Sequence, residues 1–498
     1  MPETLVSAVV AERRSYIDGS WESGRGDRII VSSPGTEELV AEVDGASLDQ
    51  IECAIGAARR AFDTGGWPAL APEERIAITL RFAAALEARR DSLTETVIQE
   101  AGCPRMISQS VQVDMALRSI RELAELYGRM PAWQHGDAPL GDYLVGSSVR
   151  LSINRYEAAG VVAAITPYNF PLITNVWKIV PALLAGCTAV LRPSPLTPLE
   201  AIVFGAAAEE AGIPAGVLNI VVDAGNEGGM LLSTHPDIDV VSFTGSTDVG
   251  RTIAAQAAPT LKRIILELGG KSVQLHLPDV CDDVAGIVAA AMTVFVSHAG
   301  QGCALQTRLL VPEHCRAEVV GAVAAAACRL TIGDPASAAT MVGPLITARQ
   351  VERVDGIVRD AVAAGGIVAV GGKRPSHLDR GHFYEPTVID VTSSTNPVAQ
   401  REVFGPVLAV QGYRDIDDAV GIANSTPYGL SGGVYTKDLH LGVSIAERIR
   451  SGTVQVNTGW ASGYTPMGGF KQSGYGRERG AAGIRSFQEL KHIVVGSR

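Results

Sequence analysis

DVVSFTGSTDVG, residues 239–250, reads as a β-strand that ends in a turn and then opens a helix. Its apolar positions are continuous rather than alternating, the pattern of a strand covered on both faces of a parallel sheet. Gly245 and Gly250 bracket the turn, and Ser246 supplies a hydroxyl between them. The spacing lacks the Lys-Ser of a P-loop and is not G-x-G-x-x-G, so a turn needing glycine for its geometry accounts for it as well as a phosphate site does. Position favours the second reading, because a helix start after a parallel strand directs free N–H groups at a pyrophosphate.

Working outward, the same kind of run recurs in GVVAAITP (160–167), TAVLRPS (188–194) and VLNIVVD (217–223), with Ala- and Leu-rich segments of helix length between them. Strands alternating with helices imply βαβ units and a parallel sheet. A second α/β series follows Glu267, punctuated by IGDP (332–335) and by glycine pairs at 365 and 371. On the N-terminal side, SLDQIECAIGAARRAF (47–62) places Ser47 and Gln50 as a capping box and Ile51, Ala54, Ile55, Ala58 and Phe62 on one helical face. After Pro72 one longer helical pattern runs to about Glu100, where Ala101-Gly102-Cys103-Pro104 stops it. QELKHIVV (488–495) reads as a strand.

A chain of 498 residues exceeds what one hydrophobic core serves, so several structural units are expected. The net charge of -11 argues against a dedicated nucleic-acid binder. The apolar run Leu5 to Ala11 is short and follows Glu3, which makes a poor signal peptide. The uncharged run Val284 to Val296 is too short to span a bilayer, so a cytoplasmic protein without a membrane partner is expected. Seven cysteines, Cys53, Cys103, Cys187, Cys281, Cys303, Cys315 and Cys328, show no C-x-x-C spacing, which fits reduced thiols and no metal.

Cys303 lies in SHAGQGCALQTR (297–308), where it is either a small core filler or a reactive thiol. ITPYNFP (165–171), LELGGKS (266–272) and EVFGP (402–406) accompany it in order. With GQGC these motifs resemble the aldehyde dehydrogenase superfamily. The resemblance extends through WKIVPALLAGCTAVLRPS (177–194), PYGLSGGVYT (427–436) and PMGGFKQSGYGRERG (466–480). It implies an α/β fold with a Rossmann-like coenzyme-binding domain (1–135 and 157–266), an α/β catalytic domain (267–470) and a small β oligomerisation or bridging segment (136–156 and 471–498). A homodimer or homotetramer is the implied assembly.

The resemblance also assigns roles. Cys303 matches the nucleophile, whose thiolate adds to an aldehyde carbon. The Asn169 side chain and the Cys303 backbone N–H match the oxyanion donors. Glu267 matches the general base that activates water for thioester hydrolysis, which sets the chain apart from the coenzyme-A-acylating branch. Lys178 and Glu478 resemble proton-relay positions, and each reads equally as a surface charge. The coenzyme set comprises Ile165, Thr166, Pro167, Tyr168, Lys178, Arg192, Ser194, Gly225, Gly229, Phe243, Thr244, Gly245, Ser246, Val249 and Leu268, with Glu402 and Phe404 at the nicotinamide end.

The departures from the family pattern bear on specificity. Arg192 stands where lysine is usual, and Pro195 where NAD-preferring members often carry an acid. NAD is expected as coenzyme with NADP admitted, the preference being about tenfold. Tyr168 replaces a common Trp, and Val296 and Met467 occupy places that are often aromatic. Trp177, Trp460 and Tyr464 are the candidate pocket walls. The function implied is NAD(P)-dependent oxidation of an aldehyde to a carboxylic acid. Two competing readings are a thiol esterase or acyl transferase using Cys303 and Asn169, and a non-catalytic binding protein on the same fold.

Overall fold

Val240–Thr244 is buried along its whole length and pairs in parallel with Arg263–Glu267 on one side and Val161–Ile165 on the other. This computed structural model describes residues 9–135, 150–459 and 462–496. Thr188–Arg192 and Leu218–Ile220 continue the parallel set. Antiparallel Gly474–Tyr475 closes one edge and Ser15–Ile17 with Ser20–Glu22 the other, giving eight strands. The chain enters this set in the middle, at Val161–Ile165, builds outward through Leu218–Ile220, then returns to the other side at Val240–Thr244. Such a reversal opens a crevice at the carboxyl ends of the central strands. Those ends carry Ile165, Arg192, Thr244 and Glu267.

Beyond Glu267 the chain crosses through Gly269 and Gly270 and enters a second sheet at Val273–His276. This sheet has seven strands, with Val273–His276 between Arg308–Pro312 and Ser431–Tyr435. Its only antiparallel member among the described residues is the edge strand Ile367–Val370. Glu267 is therefore the last residue of one sheet and lies a short link from the centre of the other.

The expected helix at 47–62 is Leu48–Asp63, with the capping box of Ser47 and Gln50 formed. Ile51, Ala54, Ile55 and Ala58 pack with Val161, Ala163, Val190 and Val241 beneath the first sheet. The single long helix expected after Pro72 is instead two, Pro72–Glu87 and Arg90–Ala101. Arg89 leaves the helix at φ -107°, ψ 13°, and its guanidinium returns to the Ala85 carbonyl at 2.8 Å and to the Glu210 carboxylate. The break lets both Leu86 and Leu93 reach one core. Gly102, at φ 65°, ends the second helix as expected.

Gln488–Gly496 is a strand, paired antiparallel along its length with Arg150–Ala158, which also holds Trp133–His135. The stretch 471–487, expected with this bridging element, lies against the first sheet. Gly474 approaches so closely that a Cβ there would sit 1.9 Å from the Leu266 carbonyl oxygen, and Ile484 enters the main core. Residues 136–149 of the expected bridge, Trp460 and most of the N-terminal apolar run lie outside the described residues. Among the described residues no helix is long and apolar enough to cross a membrane.

Candidate active site

The segment that carries Cys303 leaves the helix Val284–Phe295 through a turn in which His298, Ala299 and Gly300 are all left-handed, at φ 45°, 53° and 74°. For the two residues with side chains this conformation costs on the order of 1–3 kcal/mol each. Gly300 is required, since a Cβ would lie 2.1 Å from the Gly405 carbonyl oxygen. Gln301 fastens the turn. Its side-chain amide donates to the carbonyls of His298 and Pro344, both at 3.3 Å, and accepts from the Ile346 N–H at 3.0 Å. The Gln301 carbonyl in turn accepts from Asn169 Nδ2 at 2.6 Å, and Gln112 donates to the Asn169 carbonyl at 2.9 Å. From the opposite side Gly270 abuts the thiol residue, where a Cβ would lie 2.5 Å from the Cys303 carbonyl oxygen. The double glycine of LELGGKS thus serves close packing: Gly269 makes room for Glu402 and Gly270 for Cys303.

Cys303, Asn169, Glu267 and Glu478 line one cavity of about 530 Å³. Cys303 is half-buried, and burial together with the carboxylates of Glu267, Glu402 and Glu478 pushes its thiol up to about 12. Both Glu267 carboxyl oxygens are buried and have no hydrogen-bond partner among the described residues. Burial and the neighbouring Glu478 raise Glu267 well above the ordinary carboxylate range, against the opposing pull of Lys178, Arg477 and Arg479. A carboxyl group whose proton affinity is raised in this way is a stronger base than an exposed carboxylate, which suits proton transfer. Lys178 and Glu478 are not surface charges: they form an ion pair that is almost fully buried, and Lys178 Nζ also donates to Ser242 Oγ at 3.1 Å.

The other expected residues gather at the crevice. The hydroxyls of Thr166 and Thr244 are buried, without a partner among the described residues, just where two neighbouring strands end. Ser246 caps the helix Thr247–Ala257 by accepting from the Val249 N–H. Gly245 admits the Phe243 ring, 2.4 Å from where a Cβ would be, and Gly250 admits Leu268. Val249 is exposed on the first turn of that helix. Glu402 accepts from the Gly270 N–H at 2.9 Å, and Phe404, at φ 57°, meets Tyr168 edge to face at 6.1 Å. Ser194 Oγ accepts from the Leu196 N–H at 3.3 Å. Two orphaned hydroxyls, a capped helix start and the strand ends fit a dinucleotide.

Three polar residues escaped the sequence reading. Asp223 takes the Nε of Arg192, while its other oxygen accepts from the Gly228 N–H at 3.2 Å. Arg192 also donates to the Gly225 carbonyl and passes about 3.8 Å from where a Gly229 Cβ would be, so the expected trio is brought together, but around a carboxylate. The signal was present as the acid ending VLNIVVD. Gln301 and Arg479 are the others, each inside a motif noted for a different residue. Of the expected walls Trp177 lines the cavity, and so does Met467. Val296 does not: it packs into the core of the second sheet, and Ser297 faces the cavity instead. Tyr464 is 39% exposed with its hydroxyl on Glu125, and Tyr168 packs on Phe404 outside the cavity lining.

A thiol on a strained turn, an amide and a buried carboxyl group in one cavity, beside a nucleotide crevice, define an α/β enzyme of the coenzyme-dependent, thiol-bearing kind. The chain belongs to the aldehyde dehydrogenase family, which it matches over residues 21–493. It is 36% identical over 485 residues to a 3-succinoylsemialdehyde-pyridine dehydrogenase of a Pseudomonas species, covering 97% of this chain and 98% of that one. It is also 36% identical over 485 residues to the betaine aldehyde dehydrogenase of Bacillus subtilis strain 168, covering 96% of each. An aldehyde dehydrogenase of Mycobacterium tuberculosis, solved with NAD+, superposes with a TM-score of 0.92 at 38% identity, covering 97% of this chain and 98% of that one.

Proposed function

We propose that the chain oxidises an aldehyde irreversibly to a carboxylic acid with NAD+, through a covalent bond at Cys303. The observation that carries this reading is the shared cavity of Cys303, Asn169, Glu267 and Glu478, the last paired with the buried Lys178. Thr166, Thr244, Ser246, Arg192, Glu402 and Phe404 would hold the coenzyme, which when bound supplies the hydride acceptor.

Cys303 Sγ attacks the carbonyl carbon after losing its proton, and the thiol's raised affinity for that proton makes a nearby acceptor necessary. The oxygen gains charge as the carbon becomes tetrahedral. One Asn169 Nδ2 hydrogen is held by the Gln301 carbonyl, which turns the other to this oxygen together with the Cys303 N–H. Once the thioester stands on Cys303, a water must be deprotonated. Glu267, partnerless in the cavity, takes that proton, and the adjoining Lys178–Glu478 pair sets the field in which it does so.

The division into a coenzyme-binding domain around the first sheet, a catalytic domain around the second, and a bridging β element belongs to the same proposal, with 471–487 counted with the first sheet. So do a homo-oligomer and a cytoplasmic location.

An aldehyde panel scored by reduced-nicotinamide absorbance, with NAD+ and NADP+ in parallel, tests the reading. Coenzyme reduction matched by acid formation is expected. Ester or thioester cleavage without coenzyme reduction would instead establish the esterase reading.

A further inference from the structure

The aldehyde cavity contains a cation that the reaction does not use. Its lining carries three ionic side chains among the described residues, Glu267, Glu478 and Arg479. Glu478 is neutralised by Lys178. Glu267 has both carboxyl oxygens buried with no hydrogen-bond partner among the described residues, and burial raises its affinity for a proton. Arg479 is 4% exposed, and the carboxylates of Glu478, Glu267 and Glu122 act on it only through space. Its Nη1 donates to the Ser462 carbonyl at 3.3 Å, and its Nε is buried with no partner. The Nε–Nη2 edge, the one that grips a carboxylate with two parallel hydrogen bonds, is thus left without a hydrogen-bond partner among the described residues. The backbone is held at φ 57°, ψ 171°, a region nearly reserved for glycine, so an arginine here is maintained at a conformational cost.

The aromatic rings of the lining are already engaged by other side chains. The Arg479 guanidinium lies 4.5 Å above the Trp177 ring. Tyr435 is stacked on His276 at 4.4 Å, and Phe170 meets His298 edge to face at 5.4 Å. A quaternary ammonium substrate needs open aromatic faces, and here each ring has a face or edge already engaged.

We propose that Arg479 is the receptor for a carboxylate carried by the aldehyde, so that the substrates of this chain are aldehyde acids rather than cationic or purely apolar aldehydes. The proposal rests on the aldehyde-oxidising reading above. The Arg479 guanidinium lies over the Trp177 ring, and both residues line the cavity together with Cys303 and Glu267.

The test compares aldehydes of matched length on the purified enzyme with NAD+: succinic semialdehyde against butanal, glutaric semialdehyde against pentanal, and betaine aldehyde. For the better pair, kcat/KM for the acid should exceed that for its neutral partner by about tenfold or more, mainly through KM. Arg479→Leu should bring that ratio to about one, and Arg479→Lys, which keeps a point charge without the fork, should retain part of it. Glutarate should inhibit competitively against pentanal in the parent and not in Arg479→Leu. Ratios at or below one in the parent, a ratio unchanged in Arg479→Leu, or betaine aldehyde as the best substrate would each overturn the proposal while leaving aldehyde oxidation intact. Oxidation of none of these aldehydes would overturn the aldehyde-oxidising reading itself.

Discussion

Asp223→Asn should change which nicotinamide coenzyme the protein accepts. Arg192 on its own would pair with a 2′-phosphate, which is why a preference of about tenfold was expected from the sequence. In the structure its Nε is taken by Asp223 and an Nη by the Gly225 carbonyl. Glu227 folds over Gly225, its carboxylate 2.0 Å from where a Cβ would be, and adds a second negative charge. Under the proposed coenzyme placement, the Arg192 end of the crevice therefore holds two carboxylates against one guanidinium. Taking a phosphate charge about 8 Å from Asp223 and an effective dielectric near 20, the repulsion is about 2 kcal/mol. That is roughly thirtyfold in affinity, on top of the attraction Arg192 no longer supplies. The parent should favour NADH over NADPH by about a hundredfold. Asp223→Asn, which keeps the shape and removes the charge, should narrow the ratio by about thirtyfold, chiefly by tighter NADPH binding. Isothermal titration with both reduced coenzymes reads this without turnover. A parent that binds both within about tenfold, or an unchanged ratio in the variant, would refute the assignment of Asp223.

Two further outcomes follow from the buried charges. Lys178→Met leaves the Glu478 carboxylate buried without a partner and should cost about 3–5 kcal/mol of stability, while the double variant with Glu478→Met should recover most of it, as chemical denaturation will show. Glu267 has a raised affinity for its proton in the folded state, so the stability tied to that proton is present at low pH and is lost as pH rises through the raised value. Glu267→Gln, with no charge to bury, should gain thermal stability relative to the parent as pH increases from the ordinary carboxylate range upward. A difference in Tm that stays flat with pH would count against the burial of an ionisable carboxyl group there.

The parallel sheet was legible because its strands are continuous apolar runs, and Val240–Thr244, Val161–Ile165 and Thr188–Arg192 are all buried from end to end. Ser47 and Gln50 located a helix start because capping is a local event between residues three apart. The break at Arg89 was not legible, since it depends on Glu210, far along the chain, meeting the Arg89 guanidinium. The site divides the same way. Motif order singled out Cys303, Asn169 and Glu267, which line one cavity. Whether Lys178 and Glu478 were surface charges or a buried pair turned on a contact across 300 positions. The Arg192–Asp223 pair was not legible because Asp223 lies beyond the end of the neighbouring strand Leu218–Ile220, and Val296 misled because the chain turns Ser297, not its neighbour, to the cavity.

The covalent role of Cys303 is tested most directly by intact-mass spectrometry of Glu267→Gln after mixing with NAD+ and a cavity-sized aldehyde. Removing the base should leave the first hydride transfer in place and stall hydrolysis, so one equivalent of reduced coenzyme should form in a burst while the protein gains the mass of one acyl group, mapped by digestion to Cys303. The doubly substituted Cys303→Ala, Glu267→Gln protein should show neither. A burst of reduced coenzyme with no acyl adduct, or an adduct on any of the other six cysteines, would contradict a thioacyl-enzyme at Cys303.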